Sequence, residues 1–198
     1  MTRFCVFDTE TTGLGHNDAI IELGVVEIVN WRITGGGVQR FRPHCTVSDG
    51  ARSVHGIGDE DLQHEPAFAD VADQILNYFG DSTLVAHNAK FDIGMMNNEL
   101  RRCGKSPLRN VAIDTLPLAR RKFPGQKNNL DALMRRFNLA SDDRKTHGAY
   151  EDAIFAANVF LHLIHGVNMD ALQYPIIIDP TGQRPFNALM QPAFLGEH

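Results

Sequence analysis

Phe4-Cys5-Val6-Phe7 is an unbroken apolar run that stops abruptly at Asp8. A short run without alternation suits a strand covered on both faces at the centre of a sheet. Such a strand needs helices above and below it, so this run already favours an α/β layering. The residues that follow, Asp8-Thr9-Glu10-Thr11-Thr12-Gly13-Leu14, are chemical rather than structural in character. Side chains two apart on a strand share a face, so Asp8 and Glu10 can converge on one point. Two close anions raise each other's pKa unless a cation lies between them. Ligands that are all oxygen favour Mg²⁺ or Mn²⁺. A lone Asp-x-Glu is more often a pair of exposed acids in a polar turn, so a metal site requires ligands from elsewhere in the chain.

Downstream, residues 20–29 read as a second strand, Gly35-Gly36-Gly37 as a break, and residues 38–42 as a third, more exposed strand. Three strands so closely connected predict an antiparallel meander. Residues 42–63 read as a long polar connection around Val54-His55-Gly56-Ile57. The apolar spacing of Phe68, Val71, Ala72, Ile75, Leu76 and Phe79 predicts a one-faced helix. Residues 84–86 form a fourth short strand, ending in His87-Asn88-Ala89-Lys90-Phe91-Asp92, and a helix is expected from Asp92 to Arg102. Residues 111–113 form a fifth strand, Asp114 can cap the helix after it, and Asn128 or Asn129 can cap another. A polar loop over 141–146 precedes a last helix from His147-Gly148 to about 165. The expected product is a mixed five-stranded sheet flanked by helices, with Asp8, Glu10 and the 87–92 segment near the carboxyl ends of central strands. The expected boundaries are a domain over 1–165 and an extended tail over 166–198 punctuated by prolines, a candidate partner-binding segment.

The net charge of −5 by itself disfavours a nucleic-acid partner, but its distribution is uneven. Between Arg101 and Lys145 there are 12 Lys/Arg against 4 Asp/Glu, or +8, which leaves −13 for the remainder. So basic a segment can attract a polyanion, although a solvated helical face is an equal alternative. Cys5, Cys45 and Cys103 are odd in number and form no Cys-x-x-Cys pair, which argues against a disulfide frame or zinc knuckle. With no run of about 18 apolar residues and no basic-then-apolar leader, a cytoplasmic protein without membrane attachment is expected.

His147 and Asp152 complete the constellation. Were both helical, a spacing of five would set them about 140° apart. Gly148 relieves this by letting His147 sit on the loop while Asp152 projects from the first turns. Asp8-x-Glu10, Asp92 at the end of its segment, and His147-x-x-x-x-Asp152 together resemble the three signatures of the DEDDh 3′–5′ exonucleases. The resemblance extends through Val54-His55-Gly56-Ile57, residues 119–125 and residues 129–133, and is strongest to the epsilon proofreading subunits of bacterial DNA polymerase III, over residues 3–165.

That resemblance implies an RNase H-like fold and hydrolysis of a 3′-terminal DNA phosphodiester at two divalent ions, Mg²⁺ or Mn²⁺, about 3.5–4 Å apart. It implies that Asp8 bridges both ions, Glu10 and Asp152 complete the shell of the first ion, Asp92 supports the second ion in part through water, and His147 is the general base. Thr9, Leu14, His55 and Asn88 are implied as substrate neighbours, alongside Asp8, Glu10 and Asp152. An acidic substrate contact known in some relatives falls on Gly50 here, with Asp49 beside it. The implied partners are single-stranded or frayed 3′ DNA ends, the polymerase III alpha subunit and, through Gln191-Pro192-Ala193-Phe194-Leu195, a sliding clamp. The alternatives are an RNA-trimming or stand-alone DNA repair exonuclease, and, from another class, a non-catalytic nucleic-acid-binding module. The last predicts decay of a site residue, yet all five are present.

Overall fold

The structure is a computed structural model and describes residues 3–139 and 147–165. The expected 141–146 loop and the 166–198 tail lie outside the described residues. Strand β1 (Arg3–Thr11) pairs antiparallel with β2 (Ile20–Val29), which pairs antiparallel with β3 (Arg32–Arg40). On the other side β1 pairs in parallel with β4 (Thr83–Ala86), and β4 in parallel with β5 (Ala112–Asp114). The order is therefore β3-β2-β1-β4-β5, with the strand carrying Phe4–Phe7 at the centre. These four residues are 2% exposed or less, as a run without alternation requires.

Alternation along β1 divides the core. Cys5 and Phe7 face a cluster built with α3 (Phe68–Phe79) and α4 (Ala89–Arg102). Phe4 and Val6 face the opposite cluster, dominated by α7 (Ala149–Ile164) with α5 (Thr115–Lys122) and α6 (Leu130–Arg136) behind it. Phe160 packs edge-on to Phe4 at 5.2 Å between ring centroids. Burial of one such ring stabilises the fold by about 1.5–3 kcal/mol.

The turn after β2 is not at Gly35–Gly37 as expected but at Asn30-Trp31, both with positive φ (51° and 65°), the two-residue turn whose twist matches a hairpin. Trp31 is held there by packing on Phe4, 5.3 Å between centroids. Gly35–Gly37 lie inside β3, and Gly36 permits a close approach. A Cβ on it would stand 2.4 Å from Val25 O and 3.0 Å from the Tyr150 ring.

The connection read as irregular between residues 42 and 63 contains two short helices, α1 (Asp49–His55) and α2 (Asp59–Leu62). At seven and four residues they are too short for a periodic pattern. The Ser48 hydroxyl caps α1 by accepting from Ala51 N–H. Helix α4 starts at Ala89, three residues before the expected start at Asp92, so Asp92 lies within its first turn. Among the described residues no helix is long and apolar enough to cross a membrane.

Candidate active site

Asp8 and Glu10 follow Phe4 and Val6 in parity and so point to the α7 side of the sheet. Asp8 is paired in register with Gly24 of β2, and α7 begins directly over that glycine. A Cβ on Gly24 would come within 2.2 Å of the Ala149 carbonyl, so only glycine admits the helix this close. Gly148, the residue before α7, has no side chain with which to cap it. Glu22 of β2 does so instead. Its Oε1 accepts from Ala149 N–H at 2.9 Å, while Oε2 accepts from Arg40 Nε at 2.8 Å. Seated in this way, α7 brings Asp152 to the strand, and one carboxylate oxygen each from Asp8, Glu10 and Asp152 lie within 4.8 Å of one another. Glu10 and Asp152 are 8% and 5% exposed. Acids gathered this closely, two of them buried, could share a cation, and an all-oxygen donor set fits Mg²⁺ or Mn²⁺.

His147 sits just before α7, with its backbone N–H donating to Val54 O of α1 at 3.1 Å. Its Nδ1 lies 3.0 Å from Asp152 Oδ2, and a ring that donates there from Nδ1 has Nε2 as its acceptor nitrogen when neutral. The side chain is 41% exposed, so water reaches it.

Asp92 stands apart from the trio. Its Oδ1 accepts from both the amide (3.0 Å) and the hydroxyl (2.8 Å) of Thr9, and the residue is 3% exposed. Burial pushes its carboxyl up to about 7 against the Thr9 hydrogen bonds, and the negative Asp114 adds to the rise. The turn before α4 is built on Asn88, which has a left-handed backbone at φ 66°. Its N–H donates to Asp114 Oδ1 at 3.0 Å, and the same oxygen caps α5 through Leu116 N–H at 2.9 Å.

A cleft of about 440 Å³ opens beside Glu10. Of the sequence-derived substrate candidates, Thr9, Glu10, Leu14 and His55 line it, whereas Asp8, Asn88 and Asp152 do not. Leu14 is 86% exposed at its rim, whereas His55 is buried. The two nitrogens of His55 are both engaged by backbone. Nδ1 accepts from Ile57 N–H at 3.0 Å and Nε2 donates to Thr11 O at 3.2 Å, so the ring offers the cleft its apolar edge. Burial moves the His55 pKa below its usual value. Sequence reasoning passed over Phe91 and Val54, which also line the cleft. Both sit inside quoted motifs, but only the tertiary arrangement turns them toward Leu14.

A five-stranded mixed sheet with a carboxylate trio and a histidine at its centre is a nuclease arrangement, and comparison with known proteins agrees. The Exonuclease family model matches residues 5–160, and the chain belongs to that family. It is an exonuclease. Its relatives include the DNA polymerase III subunit epsilon of Salmonella typhimurium and that of Escherichia coli K12. Each is 42% identical over 177 residues, covering 84% of this chain and 73% of the relative. The subunit epsilon of Rickettsia felis is 40% identical over 173 residues, covering 83% and 75%. Among solved structures, exonuclease X in complex with 5′-overhanging duplex DNA superposes with a TM-score of 0.67 at 27% identity, covering 83% of this chain and 92% of that one. Escherichia coli exonuclease I in complex with a dT13 oligonucleotide has a TM-score of 0.72 at 17% identity, covering 83% and 41%, and shows the shared RNase H-like fold alone.

Proposed function

We propose that this exonuclease removes nucleotides from the 3′ ends of DNA with two divalent cations, Mg²⁺ or Mn²⁺, and that it proofreads for a replicative DNA polymerase. The observation that carries this reading is the meeting of Asp8, Glu10 and Asp152 within 4.8 Å beside the His147 imidazole. When bound, the cations would offset the negative charge of the scissile phosphate and make water more acidic. Asp8, Glu10 and Asp152 would hold them, and Asp92, oriented by Thr9, would support the second. His147 accepts the proton of the attacking water at Nε2, and Asp152, hydrogen-bonded to Nδ1, steadies the imidazolium that forms. The terminal base lies in the cleft against Leu14, Val54 and Phe91, with Thr9 and His55 at its floor. Apolar walls accept any base face, and a mispaired end enters more easily because unpairing it costs less. Asn88 shapes the turn behind Asp92.

That its relatives are subunits of DNA polymerase III supports a polymerase partner, and residues 166–198 are proposed as the segment that reaches the polymerase alpha subunit and a sliding clamp. The test uses 5′-labelled single-stranded DNA and duplex with a matched or mismatched 3′ end, with and without chelator. Stepwise shortening from the 3′ end, fastest on unpaired termini and abolished by chelator, is expected. Shortening from the 5′ end, or full activity in excess chelator, would overturn the reading. Faster turnover of an RNA of equal length would move the substrate from DNA to RNA.

A further inference from the structure

The connection between β1 and β2 is anchored from outside at successive backbone groups. Arg102, the last residue of α4, donates from Nη2 to His16 O and from Nη1 to Asp18 O, each at 3.0 Å. Its Nη1 also lies 3.1 Å from Glu99 Oε1, and that buried carboxylate oxygen accepts from Ile20 N–H at 3.1 Å. The carbonyl between the two, Asn17 O, accepts from His44 Nε2 at 3.2 Å. Within the connection, Asp18 accepts from Gly15 N–H at 2.6 Å and from the Thr12 hydroxyl at 2.8 Å. Three consecutive carbonyls are thus held by side chains from elsewhere in the fold. One apolar side chain projects from this braced loop, Leu14, 86% exposed on the rim of the cleft. A lone exposed leucine is ordinary. A leucine on a loop braced at this density is preorganised, which lowers the ordering cost of whatever it meets.

We propose that Arg102 is a positioning residue for the exonuclease reaction, its guanidinium fork setting the Gly13–Asp18 connection so that Leu14 meets the terminal base already in place. The inference rests on the function proposed above. Arg102 does not line the cleft and so acts through the loop. The planar fork suits two neighbouring carbonyls, whereas a lysine ammonium is a single point charge.

The test is a double-mutant cycle read in kcat and KM on a single-stranded DNA oligonucleotide, with wild type, Arg102→Ala, Leu14→Ala and the double variant. In the presence of Leu14, Arg102→Ala is expected to raise KM about fivefold with little change in kcat. In the Leu14→Ala background it should add little further. Arg102→Lys should show most of the same rise, and full recovery by lysine would overturn the role of the fork. A purely structural role would change KM alike in both backgrounds and lower the unfolding midpoint, and that result overturns the inference. So does an unchanged KM in an active Arg102→Ala protein. A wild type that fails to shorten DNA sinks the proposed function itself, whereas an active wild type with additive variants sinks this inference alone.

Discussion

His147 and His55 are both imidazoles beside the cleft, yet their nitrogens are committed differently. His147 gives one nitrogen to Asp152, and His55 gives both to backbone. Replacing His147 with alanine is expected to lower kcat by about 10²–10⁴-fold while leaving the unfolding midpoint nearly unchanged, as read by steady-state kinetics and thermal melts. For His55 the expected readout is stability. Burial depresses its folded pKa, so below the ordinary histidine value of 6.5 the unfolded chain binds more protons than the folded one. Its contribution is complete above pH 6.5 and is lost as pH falls through the depressed folded value. Asp92, raised to about 7, acts in the opposite direction, so the informative quantity is the difference between wild type and His55→Gln. With chelator present, the urea midpoint of wild type should fall more between pH 7.5 and 5.5 than that of the variant; parallel curves would refute the assignment. The convergence of Asp8 and Glu10 was legible in strand parity, and that of Asp152 in the glycine before its helix. The attachment of Asp92 to Thr9 was not legible, because it depends on how α4 lies against β1.

The placement of α7 depends on β2 as well as on the helix's own apolar face. Gly24 clears its path and Glu22 caps its first turn. Gly24→Ala is expected to cost about 1–3 kcal/mol by overpacking, and more if the backbone cannot yield. It should also lower activity beyond the stability loss, because Asp152 moves with the helix. Activity per folded molecule, with folding monitored by circular dichroism, checks this; a destabilised variant with full specific activity would refute it. Long patterned elements such as α3 were readable, and its limits, Phe68–Phe79, match the apolar spacing. The β2–β3 turn was misread because three glycines in a row signal a break. Here they lie within a strand that Gly36 lets approach Tyr150, and the turn falls to Asn30-Trp31.

Over the whole chain, the basic segment from Arg101 to Lys145 is partly consumed by structure. Lys122 donates to His162 O at 3.1 Å near the C-terminal end of α7, and Arg136 covers the Phe123 ring at 4.4 Å while donating to Asn128. Arg102 braces the Leu14 loop. Net charge along a sequence therefore overstates what is available to a nucleic acid. Deleting residues 170–198 is expected to leave hydrolysis of short oligonucleotides intact while weakening association with a replicative polymerase or clamp. Kinetics beside a pull-down would check this, and loss of hydrolysis would show instead that the tail supports the fold.

Order, parity and residue chemistry, all local properties, determined that a central buried strand would end in paired acids and that strands would then alternate with helices. Tertiary structure decided which groups meet. Gly24 and Gly36 turn out to be clearances, Glu22 a cap for a distant helix, and Arg102 a brace. Each owes its role to a neighbour more than ten residues away, and a contact of that kind follows from how the layers pack rather than from any local pattern.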